Sequence, residues 1–462
     1  MNRLNNNNKF ILNIFFDIFC VFIIFSIIDT LPSFFLPHEP DSNSYIKFKN
    51  YRPAIYPLFI ELCNKTNISI FFLQNLLLSL SLVVLFRAIK AYELGKVINF
   101  VGLFVIIFNI FYVAFTKTIL AESLFFTAIN FSIACILLYK KEQKFVYLFS
   151  GVFFGLVFSI KPAGILLALG FLLVSIFHIK NKKFIILPLI GFLFFPVIEK
   201  TIFKKKHLFK SSVFHLILIG KTIMISGEDN FKLEKFDKNE RILLDTSSEK
   251  ISDVNRFLAK IKNPFLRADL TADYEVVAQY QFFRDEIKLA VESSKKSIGR
   301  FGYDIAFKTI ALHPIEYCKI TITHYLGLWS TGGKLIFLND FVKRNDLEIP
   351  YKEKLELSSS LQNKLTQGFL IIGLMFFILL MISFSSITIS LFFLIFREGF
   401  LKKNYLNICF VTLAQLYLVA ICMTNVATPR YLMPVYPIII FEILFFAKML
   451  YNYIIKRKNC EK

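Results

Sequence analysis

Chemically capable residues are few in this chain and fall in short polar stretches between long apolar ones. The first reads His38-Glu39-Pro40-Asp41-Ser42-Asn43-Ser44-Tyr45 and continues through Tyr51-Arg52-Pro53-Ala54-Ile55-Tyr56-Pro57-Leu58. Glu39 and Asp41 put two carboxylates two residues apart. Beside a low-dielectric boundary such a group can be pushed toward the range in which it works as a general base. Arg52 is a planar, permanently charged fork that suits a phosphate or a carboxylate, and the neighbouring prolines stiffen its loop. Solvated loop charges and an arginine anchored at a surface explain the same residues equally well at this level. His38 reads as a loop side chain, and His207, His215, His313 and His324 are scattered without metal-ligand spacing.

Three later stretches add to this set. Thr116-Lys117-Thr118-Ile119-Leu120-Ala121-Glu122-Ser123-Leu124 places an acid at the start of an otherwise apolar segment. Glu122 is either a functional group held at a costly depth or a simple complement to a helix N-terminus. Lys161-Pro162 is an interfacial lysine ahead of a helix-starting proline, or an anion ligand. The last, Thr428-Pro429-Arg430-Tyr431-Leu432-Met433-Pro434-Val435-Tyr436-Pro437, carries one arginine where cations are otherwise scarce. An ordinary phospholipid headgroup or a bound lipid phosphate would each give Arg430 a partner. Together Arg430, Lys161 and Arg52 suit a phosphate or pyrophosphate at a membrane surface.

The elements that must position these residues are apolar helices. The chain has 462 residues, 56% of them hydrophobic, and a net charge of +21. Its mean hydropathy is +0.59. That much apolar surface excludes intrinsic disorder. Seven cysteines, an odd number with no C-x-x-C, exclude a disulfide scaffold and read as small apolar fillers. The positive charge gathers at loop ends, which fits membrane topology and makes a nucleic-acid partner unexpected. The expected fold is therefore an all-α polytopic membrane protein, with about ten spans of roughly 20 residues each. They fall at 10–31, 68–88, 97–115, 119–139, 145–160, 163–179, 184–200, 366–396, 405–424 and 433–454. The first lacks a small-residue cleavage site and reads as an anchored helix. The segment 366–396 is long enough for one tilted helix or two shorter pieces.

Basic loops at Arg87/Lys90/Lys96, Lys140/Lys141/Lys144, Lys180/Lys182/Lys183, Arg397/Lys402/Lys403 and Lys456/Arg457/Lys458 alternate with loops poor in cations. The positive-inside rule puts the basic set, and both termini, on the cytoplasmic side. Three regions follow. Residues 1–200 form an N-terminal transmembrane module of about seven spans, with a first outer loop at 32–67. Residues 201–365 form a mainly helical extracytoplasmic region, in which 211–226 and 314–329 suit interfacial or re-entrant helices. Residues 366–462 form a C-terminal module of about three spans.

Taken in order, these stretches resemble the membrane glycosyltransferases of the GT-C fold class. The likeness is nearest to the bacterial branch related to dolichyl-phosphate-mannose protein mannosyltransferases and the lipid A aminoarabinose transferase. An acid followed by Ser with a nearby Tyr is matched by Asp41-Ser42 and Tyr45, and Arg-Pro with Tyr-Pro-Leu by Arg52-Pro53 and Tyr56-Pro57-Leu58. An acid opening the fourth span is matched by Glu122, and a basic-Pro pair by Lys161-Pro162, where Arg is commoner. His313-Pro314-x-x-Tyr317 and Arg430-Tyr431-x-x-Pro434 match two further segments. Each motif is short, and the resemblance rests on their order and sidedness over most of the chain. The family's soluble tail domain is not recognisable, and 201–310 resembles no named domain.

The resemblance implies transfer of a sugar from a polyprenyl-phosphate carrier to a hydroxyl on a lipid, glycan or protein acceptor. The reaction would take place at the outer face of the bacterial inner membrane, among membrane lipids. Asp41 would be the general base of an inverting displacement. Arg430, Lys161 and Arg52 would hold the leaving phosphate, and Glu39, Glu122, Tyr45 and Tyr431 would position the sugar. A divalent metal held by Asp41 with Glu122 is left open, because some relatives use one and others do not. The competing readings are a lipid-linked-sugar or polysaccharide carrier or flippase, and an O-antigen-type polymerase or ligase. Against a carrier, the polar residues cluster at outer span ends, whereas transporters show repeated halves with broken helices at mid-membrane.

Overall fold

A computed structural model describes residues 2–31, 37–39, 41–90, 95–139, 142–205, 214–278, 283–330, 364–396, 400–426 and 428–460. The predicted outer stretch 331–363, His207, Lys140, Lys141 and Arg397 lie outside the described residues. Every regular element among the described residues is a helix. The chain divides into two compact units. The first comprises 1–211, 382–415 and 433–462; the second comprises 212–381 and 416–432.

The first unit opens with α1 (Asn2–Thr30), α2 (Ser42–Ile46), α3 (Ile55–Thr66) and α4 (Ile70–Lys90). It continues with α5 (Lys96–Ile107), α6 (Ile110–Val113), α7 (Glu122–Leu138), α8 (Lys144–Ile160), α9 (Gly164–His178) and α10 (Ile186–Lys205). Among the described residues, five helical stretches are long and apolar enough to cross a membrane: 70–90, 182–205, 375–394, 404–424 and 433–455. α7, α8 and α9 are equally apolar but shorter, at 17, 17 and 15 residues. At 1.5 Å per residue they reach only about 23–26 Å, less than a hydrocarbon core of about 30 Å. The predicted span 97–115 is not one helix. α5 stops at Ile107, and a short α6 and a 3-10 turn at Ala114–Lys117 follow. Asn109 marks the break, because its side-chain oxygen accepts the Tyr112 backbone N–H at 3.3 Å beside its own carbonyl at 2.9 Å and so starts a new turn.

Two kinds of contact hold these helices together. α8 and α10 pack backbone to backbone: a Cβ at Gly151 would fall on the Pro188 carbonyl, one at Gly155 on that of Phe192, and one at Gly191 on that of Leu148. The spacing Gly151-x-x-x-Gly155 is the small-residue seam that lets apolar helices approach closely. Elsewhere buried polar side chains bridge helices. Tyr112 donates to Asn130 Oδ1 at 3.0 Å, and Asn130 in turn donates to Ser81 Oγ at 2.9 Å.

The second unit contains α11 (Phe214–Ser226), α12 (Lys238–Ala259), α13 (Pro264–Val277), α14 (Arg284–Ser294), α15 (Ile298–Leu312) and α16 (Pro314–Leu328). Three of its helices start with side-chain caps. Asp237 and Glu240 form a capping box on α12, Asn263 caps α13 ahead of Pro264, and Ser297 caps α15. α11 differs from the interfacial helix expected for 211–226. It packs against α12, α13, α15 and α16, and residues 218–226 are all buried. An all-round apolar helix of this length is a core helix. α16 is two-faced, burying Tyr317, Ile320, His324 and Leu328 while Ile315 and Ile322 stay exposed.

The long C-terminal elements are α17 (Lys364–Leu394), α18 (Phe400–Thr424) and α19 (Tyr436–Cys460). α17 settles the question left by 366–396, because its 31 residues form one continuous helix.

Candidate functional site

Asp41 precedes α2 at the position where an acid normally caps a helix, yet its side chain caps nothing there. Asp41 Oδ1 instead meets the Arg52 guanidinium at 2.5 Å. Arg52 Nε donates to Ser44 Oγ at 2.7 Å, and Nη1 donates to the Tyr45 hydroxyl at 3.3 Å. The guanidinium also lies 4.5 Å from the Tyr45 ring centre. Ser44 Oγ donates to the Asp41 carbonyl at 2.6 Å, which locks the turn. Burial works against the Arg52 charge, but Tyr45 and Asp41 outweigh it and push its pKa up. That guanidinium favours the ionised form of Asp41, the form a base must have. The Asp41 side chain remains 42% exposed, so a substrate can reach it.

This loop is fastened to the polypeptide leading into α7. Ser42 Oγ accepts the Glu39 N–H at 2.9 Å and donates to the Ile119 carbonyl at 2.8 Å. Ile119 N–H donates to the Pro37 carbonyl at 3.0 Å. Beneath them, buried Gln74 on α4 accepts from the Tyr56 hydroxyl at 2.7 Å. Its amide faces the carbonyls of Phe115, Thr116 and Thr118 at 3.0–3.4 Å. The irregular backbone that follows the broken end of the predicted third span thus finds partners within the protein, the condition under which non-helical chain is tolerated in apolar surroundings.

Glu122 opens α7, and its Oε1 meets Lys161 Nζ at 2.6 Å; the two side chains are 2% and 13% exposed. Lys161 is extended, as a residue before proline tends to be, so α8 ends where the ammonium can turn back on Glu122. Tyr56 stands between this pair and the first loop. Its ring is edge-on to Tyr45 at 5.1 Å, and burial followed by the nearby Glu122 carboxylate pushes its pKa well up.

Of the sequence-derived set, Asp41, Arg52, Tyr45, Glu39, Glu122 and Lys161 fall in the first unit. Arg430 and Tyr431 belong to the second, in a 3-10 turn at Pro429–Tyr431 where Arg430 lies 5.2 Å from the Tyr431 ring centre. His313 and Tyr317 serve the second unit's frame. His313 Nε2 accepts the Lys232 N–H at 3.2 Å, and the Tyr317 hydroxyl donates to the Met423 carbonyl at 2.5 Å. Among the described residues no three His, Cys, Asp or Glu side chains gather as metal ligands. Asp41 faces Arg52 and Glu122 faces Lys161, and no step is derived through a divalent ion.

Sequence reading missed Gln74 and quoted Tyr56 only within a motif, without a role. Gln74-Asn75 in the middle of an apolar span was the available signal, since polar side chains at that depth are costly. It also missed a fully buried trio in the second unit, Lys221, Glu275 and His324. Comparison of the chain with models of known families, with characterised proteins and with solved structures finds no match to any of them.

Proposed function

We propose that the chain is a multi-pass membrane glycosyltransferase of about ten spans, with Asp41 as its general base at the outer membrane face. The observation that carries this reading is an accessible carboxylate paired with Arg52, itself held by Ser44 and Tyr45, on a loop fastened to the start of α7. A catalytic base needs that combination of fixed orientation, retained charge and access. Asp41 takes the proton of an acceptor hydroxyl while the hydroxyl oxygen bonds to the anomeric carbon. The bond from that carbon to the phosphate oxygen breaks, and the polyprenyl phosphate leaves with the electron pair. In-line attack inverts the anomeric centre.

Arg52 spends its donors on Asp41, Ser44 and Tyr45, so it orients the base. Arg430 is proposed for the leaving phosphate on the family resemblance alone. Lys161 and Glu122 support the loop's footing and offer polar groups to a sugar. The acceptor is a lipid, glycan or protein hydroxyl. The test is sugar transfer from a polyprenyl-phosphate donor in membranes containing the Asp41→Asn variant. The expected result is a rate lower by about 10²–10⁴ with donor binding retained. Transfer at near-normal rate would overturn the base assignment.

A further inference from the structure

Lys221 on α11, Glu275 on α13 and His324 on α16 meet in the core of the second unit with side chains 1%, 0% and 0% exposed. Glu275 Oε2 lies 2.7 Å from His324 Nε2 and 3.5 Å from Lys221 Nζ. With a neutral imidazole the trio sums to no net charge. Burial, then Lys221, lowers the pKa of His324, which holds it neutral. Burial raises the pKa of Glu275, but Lys221 and His324 more than offset it and keep it ionised. His324 Nδ1 and Glu275 Oε1 are buried without a hydrogen-bond partner among the described residues. A proton added at Nδ1 would therefore create a buried charge and a donor with no acceptor, a costly state.

The same cluster reaches the segment 416–432. Lys221 lies within electrostatic range of Cys422. Tyr317, two turns before His324 on α16, senses the Glu275 carboxylate and donates to the Met423 carbonyl. The Pro429–Tyr431 turn itself packs against α16. Among the described residues, the titratable groups that the trio senses beyond its own members are Tyr317 from α16 and Cys422 from the 416–432 segment; Asp269 of α13 bonds Ser330 at the end of α16. Asp304 and Lys308 of α15 are engaged by Lys296 and Glu240 instead. The turn against α16 contributes Arg430 and Tyr431.

We propose that Lys221, Glu275 and His324 are positioning residues that hold the Arg430 turn on α16, and that protonation of His324 releases it. The consequence for donor binding rests on the reading that Arg430 holds the donor phosphate. The sign follows from linkage. A histidine whose folded pKa is depressed contributes stability that is complete above its unfolded value, about 6.5, and is lost as pH falls through the folded value.

Trp329 is the chain's one tryptophan, fully buried at the end of α16, so its emission reports on this core. The test uses the full chain in phosphatidylcholine nanodiscs between about pH 8 and pH 5. Trp329 emission and hydrogen exchange of peptides from 416–432 are followed, and binding of a polyprenyl monophosphate is measured in parallel. Wild type should show an emission red-shift with a midpoint below about pH 6.5. At about pH 5 its 416–432 amides should exchange at least about tenfold faster than those of His324→Gln, which should lack the transition. An identical midpoint and identical exchange in both proteins would overturn the proposal. Should His324→Gln fail to fold, Tyr317→Phe serves. It should speed exchange of 416–432 at every pH while keeping the emission midpoint, and unchanged exchange would overturn the proposal. Exchange behaving as expected with no polyprenyl monophosphate bound at any pH would uphold the proposal and remove the donor role of Arg430.

Discussion

Asp41 and Glu275 are both carboxylates held by a cation, but their surroundings differ in every other respect. Asp41 sits at a helix start in a loop, is 42% exposed, and its partner Arg52 is tied down by Ser44 and Tyr45 from the same loop. Glu275 lies in the last turn of α13 with no exposure, and both of its partners come from other helices. An exposed pair contributes little stability but can meet a substrate, whereas a buried trio cannot be reached and governs whether its helices stay together. Charge pairing alone therefore does not mark a reactive site. Access combined with local rigidity does.

The sharpest way to break this comparison is to exchange the readouts. Glu275→Ala should leave Lys221 charged in a dry core and cost about 3–5 kcal/mol of folding stability, seen as a lowered denaturation midpoint and loss of folded protein. Asp41→Asn should cost less than about 1 kcal/mol in the same assay while abolishing transfer. Equal stability losses in the two variants would erase the distinction. Next in size is the seam between α8 and α10. Gly151→Leu forces a side chain onto the Pro188 carbonyl and should cost at least about 1–3 kcal/mol, checked by detergent-resistant folding and thermal denaturation. The smallest effect is expected at Lys65, whose pair with Glu61 is exposed on one turn of α3. Lys65→Ala should change stability by only about 0.3–0.5 kcal/mol and leave transfer unchanged.

Much of the helical frame was legible before any coordinates. Predicted segments 68–88, 119–139 and 163–179 correspond to Ile70–Lys90, Glu122–Leu138 and Gly164–His178, because apolar runs of that length favour helix wherever they are removed from water. The break at Asn109 was not legible, since one asparagine in an apolar run is tolerated or not according to what its side chain meets. The placement of α11 was also hidden. Its composition suits an interface and a protein core equally, and only the four helices packed on it decide between them.

The candidate site divides in the same way. Asp41, Arg52 and Tyr45 lie within eleven residues of one another, so their meeting is a property of one loop and its turn chemistry. Glu122 and Lys161 are 39 residues apart, and Lys221 and His324 stand 54 and 49 residues from Glu275. Sequence alone determined the helical, apolar character of the chain and the local chemistry of its first loop. Those depend on transfer free energy and on neighbours a few positions away. Which distant charges neutralise one another was decided only by tertiary packing, because an ion pair between helices depends on their register and contact, and no short window of residues encodes either.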